Sequence, residues 1–341
     1  MKKSTKKWLV GSGVVAAGAA AVGAASHAVS KYLAKLAMDR KGPKKVEKGI
    51  AKASRSSENS ALLDANVQAM QLLEEKVTET VQIESHDAIK LVGHWYPAEE
   101  PKRILIAMHG WRSSWSRDFA MIAPFWHDNG CSVLFAEQRA QGESGGDYMG
   151  FGMLERHDCL RWAQWADENN PDKLPIYLVG LSMGATTVLM TGDMELPDNV
   201  HGIMADCGFT SAYDIWKHVM EKNLHLRYGI HAATVDDLCK KKINMSSREC
   251  STVDVLERCK VPVLFIHGTD DNFVPITMTY ENYKACSSPK RLLVVPGAEH
   301  ALSYCADQKL YEKVAREFWE EYDTALPESP VQSDEPPTER N

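Results

Sequence analysis

Ser182 lies between Gly180 and Gly184 in the run Gly-Leu-Ser-Met-Gly. The apolar stretch Pro175–Val179 comes directly before it, and the small residues Ala185, Thr186 and Thr187 follow. An apolar strand, a sharp turn and a helix start, with a hydroxyl at the apex, form the pattern that lifts a serine above a sheet edge as a nucleophile. The flanking glycines fit that reading, because the turn is strained and the chain must pass close to its neighbours on both sides. The next helix would aim backbone N–H groups at the same point. The competing reading is a tight strand-to-helix turn whose serine only caps the helix.

A serine hydroxyl is a poor nucleophile until a base takes its proton, and the base needs an acid to orient it. On this kind of scaffold the order along the chain is serine, acid, histidine. Of the twelve histidines, His300 lies in Pro-Gly-Ala-Glu-His-Ala, directly after the apolar run Arg291–Val295, and is the candidate base. His267 ends a buried-type strand and His109 precedes Gly110; both read as structural. Asp270 and Asp271 leave the strand that ends at His267, and either could reach an imidazole; Asp206 is a third option. One of these carboxylates could instead cap the helix near Ile276. The developing oxyanion needs two N–H donors. Met183, next after the serine, and Trp111, in the loop after the strand Arg103–Met108, are the candidates. The Trp111 ring, with Trp115 nearby, either lines a pocket or packs in the core.

The elements that would position these residues alternate along the chain. A helix is predicted over Ser57–Lys76 and a hairpin over Val77–Ile83 and Ile89–Tyr96. Strands follow at Arg103–Met108, Cys131–Ala136, Pro175–Leu181, Val200–Asp206, Val261–His267 and Arg291–Val295. Helices are predicted at Phe119–Asn129, Met153–Asn169, after Ser182, at Ile276–Cys286 and at Leu302–Tyr322. Repeated strand–helix units imply a mostly parallel sheet with helices on both faces, and chemistry at the carboxyl ends of the strands. Between residues 210 and 258 the alternation breaks into helical stretches, at Ala212–Asn223 and Val235–Ile243, too long for a plain loop. A small helical cap is expected there.

The net charge of −7 is unevenly spread. Up to Arg55 there are 13 Lys and Arg against 2 Asp and Glu; beyond it, 26 against 44. An acidic body after a basic leader argues against nucleic-acid binding. Trp8–Ser30 carries no charged side chain, and its core, Leu9–Ala25, is rich in Ala and Gly. Residues 1–30 are therefore expected to be an N-terminal transmembrane anchor, with a cleaved signal or a soluble Ala-rich helix as the alternatives. Lysines and arginines on both sides of that span leave the orientation leaning towards a cytoplasmic body. Residues 31–76 read as a basic linker and leading helix, 77–323 as the main domain and 324–341 as a disordered tail. Eight cysteines without C-x-x-C spacing point to buried thiols. No metal and no cofactor is expected.

Five segments in order resemble the α/β-hydrolase superfamily. They are His109-Gly110-Trp111, the loop with Arg139 and Gly142–Gly145, Gly180–Gly184, His267-Gly268-x-x-Asp271-x-x-Val274-Pro275, and Gly297-x-x-His300. The resemblance covers about residues 77–322. It is closest to the serine aminopeptidase-like and prolyl-oligopeptidase-like branches, in bacterial proteins that often carry an N-terminal membrane segment. It implies the α/β-hydrolase fold with a small helical cap, and a triad of Ser182, Asp271 and His300, so that the acid is Asp271 rather than Asp270. It also implies oxyanion donors at Trp111 and Met183. Family members commonly have an acidic residue at Glu137-Gln138-Arg139, where Glu137 keeps the charge. The activity expected is that of a serine hydrolase cleaving an ester, thioester or amide through an acyl-enzyme, carboxylesterase- or lipase-like, on a small-molecule acyl or peptide substrate. The alternatives are a serine peptidase of the aminopeptidase type, non-hydrolytic chemistry on the same fold, and a non-catalytic binding protein.

Overall fold

The computed structural model describes residues 26–42 and 60–324. The apolar runs of the sequence become eight strands of one sheet. They are β1 (Glu79–Glu84), β2 (Lys90–Tyr96), β3 (Arg103–Met108), β4 (Cys131–Glu137), β5 (Ile176–Leu181), β6 (Val200–Asp206), β7 (Val263–Gly268) and β8 (Lys290–Val295). Their order across the sheet is β1-β2-β4-β3-β5-β6-β7-β8. β1 and β2 pair antiparallel with each other, and β2 with β4; every other pair is parallel. This is the mostly parallel sheet that the alternation of elements implies.

Successive residues of a strand face opposite sides, and both sides are apolar. On β3, Leu105 and Ala107 pack into one core while Ile104, Ile106 and Met108 pack into another. The first core is covered by α2 (Ser60–Lys76), α3 (Trp115–Phe119), α4 (Ala123–Asp128) and α12 (Gln308–Tyr322). The second is covered by α5 (Glu155–Glu168), α6 (Met183–Met190), α9 (Thr252–Leu256) and α10 (Ile276–Ala285). The helix read over Phe119–Asn129 is two short helices, with Pro124 in the first turn of the second. The helix read over Leu302–Tyr322 breaks at Asp307, which separates α11 (Ser303–Ala306) from α12 and caps α12 by accepting from the Leu310 N–H.

Between β6 and β7 the chain forms α7 (Ala212–His218), a π-helical turn (Val219–Asn223), α8 (Tyr228–Ile243) and α9. α7 and α8 form a third core with Phe151, Met183 and Phe209, above the carboxyl ends of the strands. One more element joins that core: α1, a helix over residues 26–38, buries Ser30, Ala34 and Met38.

α1 bears on the expected anchor. Among the described residues no helix is long and apolar enough to cross a membrane. The single-pass N-terminal anchor, and the membrane location and partnership built on it, are corrected accordingly. Residues 1–25 lie outside the described residues, as do 43–59 and the predicted tail from 325. The end of the supposed span is Ser26–Ser30, and its hydroxyls face the His231 ring, at 3.4 Å from Ser26 and 2.9 Å from Ser30.

Arg139 ties three parts of the fold together. Its buried guanidinium donates to Asp158 on α5 (2.6 Å) and to Asp87 in the β1–β2 turn (2.9 and 3.1 Å). Both carboxylates lose their partner if it goes. Arg139→Met is expected to lower stability by about 3–5 kcal/mol in urea unfolding; a loss under about 1 kcal/mol would contradict this account.

Candidate active site

The three residues named as a triad sit after β5, β7 and β8, at the carboxyl ends of those strands. Ser182 has φ 56° and ψ −115°, a conformation rare for a residue with a side chain. Both flanking glycines are required by space. A Cβ on Gly184 would collide with the Met108 carbonyl, and one on Gly180 with the Gly184 carbonyl. The Ser182 N–H donates to the Asp206 carbonyl (2.9 Å), and its own carbonyl accepts from the Thr186 N–H (3.0 Å). The side chain makes no capping bond to α6, which it precedes. Its Oγ lies 3.0 Å from His300 Nε2 instead.

His300 Nδ1 donates to Asp271 Oδ2 at 2.7 Å. Nε2 is then the free lone pair of a neutral ring, and accepts from the serine hydroxyl. Asp271 Oδ1 accepts from the Phe273 and Val274 N–H groups (2.9 and 2.8 Å), so the loop itself orients the carboxylate. His267 Nε2 stands 3.2 Å from Asp271 Oδ2. Burial opposes the charge on Asp271, but the hydrogen bonds from His267, His300 and the Val274 amide outweigh it and hold the carboxyl well below its usual range. Asp270, one residue earlier, is exposed and accepts from the Thr269 hydroxyl.

Asp206 is engaged elsewhere. It accepts from Ser303 Oγ at 2.8 Å and so ties the segment after His300 back to β6. Burial pushes its carboxyl up to about 6, against the hydrogen bond from Ser303. His109 is shut in the core, where burial lowers its basicity; its Nδ1 donates to the Gly110 carbonyl and its Nε2 accepts from the Gln138 N–H. Cys207, Asp271 and His300 bring potential ligand atoms within 4.8 Å of one another. They make a poor metal site. The two ring and carboxylate groups are committed to each other, and burial pushes the Cys207 thiol far above its usual range. His86, Asp87 and Asp158 also cluster, but Arg139 takes both carboxylates.

Met183 opens α6, and a first-turn amide has no acceptor within its own helix. Trp111 lies on the β3–α3 loop and lines the same cavities as Ser182. Two features of this loop were not read from the sequence. Asp118 fixes it by accepting from the Gly110 N–H (2.7 Å) and from Ser113. α1 fixes it from above: Trp111 Nε1 donates to the Ala37 carbonyl (2.8 Å), and the Arg112 guanidinium donates to those of Leu36 and Asp39 (2.8 and 2.6 Å). The i, i+3, i+4 spacing of Ser30, Leu33, Ala34, Ala37 and Met38 is the signal that marks this helix face.

Two cavities meet at Ser182. One, of about 100 Å³, is lined by apolar side chains and the serine alone. The other, of about 540 Å³, is mixed in character and also holds His300, Arg112 and Asp118.

The model of the family described as serine aminopeptidase, S33, matches residues 99–231. An esterase of Pyrococcus furiosus superposes with a TM-score of 0.60 at 23% identity, over 72% of this chain and 91% of its own. With the sheet order and the elbow, that fold match is decisive. This chain has the α/β-hydrolase fold. An acylaminoacyl peptidase of Pyrococcus horikoshii has a TM-score of 0.55 at 16% identity, over 76% of this chain and 44% of the peptidase. Among curated sequences, the uncharacterized protein YqkD of Bacillus subtilis is 28% identical over 225 residues, 66% of this chain and 73% of that one. The uncharacterized protein YfhR of Escherichia coli K12 is 22% identical over 232 residues, 65% and 73% respectively.

Asp206 gives the site a pH signature separate from any catalytic role. Its folded pKa, about 6, lies above the ordinary 3.8. The stability it contributes is therefore full below about 3.8 and is lost as pH rises through about 6. Asp206→Asn is expected to gain on wild type across that window, by about 3 kcal/mol at pH 7 relative to pH 4. Parallel melting-temperature profiles for the two proteins would reject the assignment.

Proposed function

We propose that this protein of α/β-hydrolase fold is a serine hydrolase acting through an acyl-enzyme, with carboxylesterase-type substrates. The observation that carries the reading is the continuous relay from Asp271 through His300 to the hydroxyl of a strained Ser182. Ser182 Oγ attacks the carbonyl carbon as its proton passes to His300 Nε2. Asp271 holds the ring in that tautomer and stabilises the imidazolium. The carbonyl oxygen takes up negative charge in front of the Met183 and Trp111 N–H groups. Collapse breaks the bond to the leaving group, which takes the proton from Nε2. Water, deprotonated by the same nitrogen, then attacks the acyl-serine; the acid is released, and the proton returns to Ser182.

The serine aminopeptidase match favours a peptidase as the second reading. Such an enzyme must hold a free ammonium near the scissile bond. No Asp or Glu lines the apolar cavity at Ser182, so an uncharged acyl group fits there better than an aminoacyl one. p-Nitrophenyl esters are accordingly expected to turn over well ahead of aminoacyl anilides, and the reverse order would favour the peptidase.

Ser182→Ala should lose turnover by about 10⁶-fold and fail to react with a fluorophosphonate probe; a variant that labels like wild type would end the proposal. Asp271→Asn should cost about 10⁴-fold in kcat, and Asp270→Asn less than about threefold. The opposite ranking would move the acid by one position.

A further inference from the structure

The two cavities at Ser182 differ in one catalytic respect. The larger one reaches His300; the smaller one does not. Under the serine-hydrolase reading, on which this inference rests, the leaving group takes its proton from His300 Nε2 as its bond to carbon breaks. It must therefore lie on the His300 side. The acyl group then has the smaller cavity, whose walls carry no charge.

Helix α1 forms the outer wall of that smaller cavity. Leu33, Ala34, Leu36 and Ala37 line it from one side, opposite Trp216 and Met220 of the segment between β6 and β7. The helix is fastened to the rest of the molecule at both ends. At its start, Ser30 bonds His231 of α8. At its end, the last carbonyls of the helix, which have no acceptor role within it, receive Trp111 Nε1 and the Arg112 guanidinium. Beyond the helix, Asp39 pairs with Lys242 (2.5 Å), and the Arg40 side chain donates to the Gly142 carbonyl (2.6 Å). The Met149 N–H donates to the Met38 carbonyl (2.7 Å). A segment before the first strand thus closes a pocket formed by residues far later in the chain, from Trp111 to Phe273.

We propose that residues 33–37 of α1 are specificity-determining: they set the length of acyl chain that the enzyme accepts, and the substrate class is esters of short, uncharged, apolar acids. The cavity volume of about 100 Å³ is somewhat less than the ~150 Å³ that accommodates a benzene ring. That scale corresponds to an acyl chain of about four to six carbons.

The test compares kcat/KM across p-nitrophenyl esters from acetate to decanoate for wild type, Leu33→Ala and Ala37→Leu. Both replacements keep good helix formers. Stoichiometric labelling with a fluorophosphonate counts the competent sites in each preparation. Leu33→Ala opens the wall and should raise the octanoate-to-butyrate ratio about tenfold; Ala37→Leu fills the cavity and should lower the hexanoate-to-acetate ratio by about the same factor. If wild type labels and turns over while both variants keep its chain-length profile, the wall assignment is wrong and the serine reading survives. If wild type neither labels nor hydrolyses any ester, the serine reading fails and this inference falls with it.

Discussion

The backbone of one residue constrains the rest of the site. Ser182 is held at φ 56°, ψ −115°, at a cost of about 1–3 kcal/mol that the surroundings must offset. They do so by contact. The Met108 carbonyl at the end of β3 sits where a side chain on Gly184 would be, and the start of α6 sits where one on Gly180 would be. Hydrogen bonds from the serine amide to β6 and from Thr186 to the serine carbonyl fix the turn on both sides. With the backbone so placed, Oγ points out of the sheet towards His300 rather than back onto the helix.

Two buried aspartates close to this serine are kept in opposite states by their neighbours. Asp271 receives two amides and two imidazoles, and its charge is stabilised. Asp206 receives one hydroxyl, and burial raises its carboxyl towards neutrality. The first can hold an imidazolium in front of the serine. The second is a structural tie between β6 and the segment that follows His300. Which carboxylate serves which purpose depends on donor count, not on proximity to the cleft.

Local spacing was enough to single out Ser182 and His300, which the fold brings together, and nearly every strand, because each depends on residues adjacent in the chain. Asp271 could not be separated from Asp270 on that basis. The difference lies in the loop, where only Asp271 accepts from the amides two and three residues on. The breaks at Pro124 and Asp307 were hidden inside apolar patterns that continue across them. α1 was missed for a different reason. Its Ala-rich neighbourhood resembles a membrane span, and its hydrogen-bond partners, Trp111, Arg112 and His231, lie far away in sequence. Asp118, which clamps Gly110, carries no spacing signal at all.

The position of β8 has a consequence for how the molecule fails. Ser182 rides on a central strand, whereas His300 follows β8, the outermost strand of the sheet, three places away. The half-exposed residues of β8 have a strand partner on one side only. Loosening of that margin would carry the imidazole off before the cores on either face gave way. The first step of local opening at this edge is therefore expected to separate His300 from Ser182 while the pocket walls stay in place.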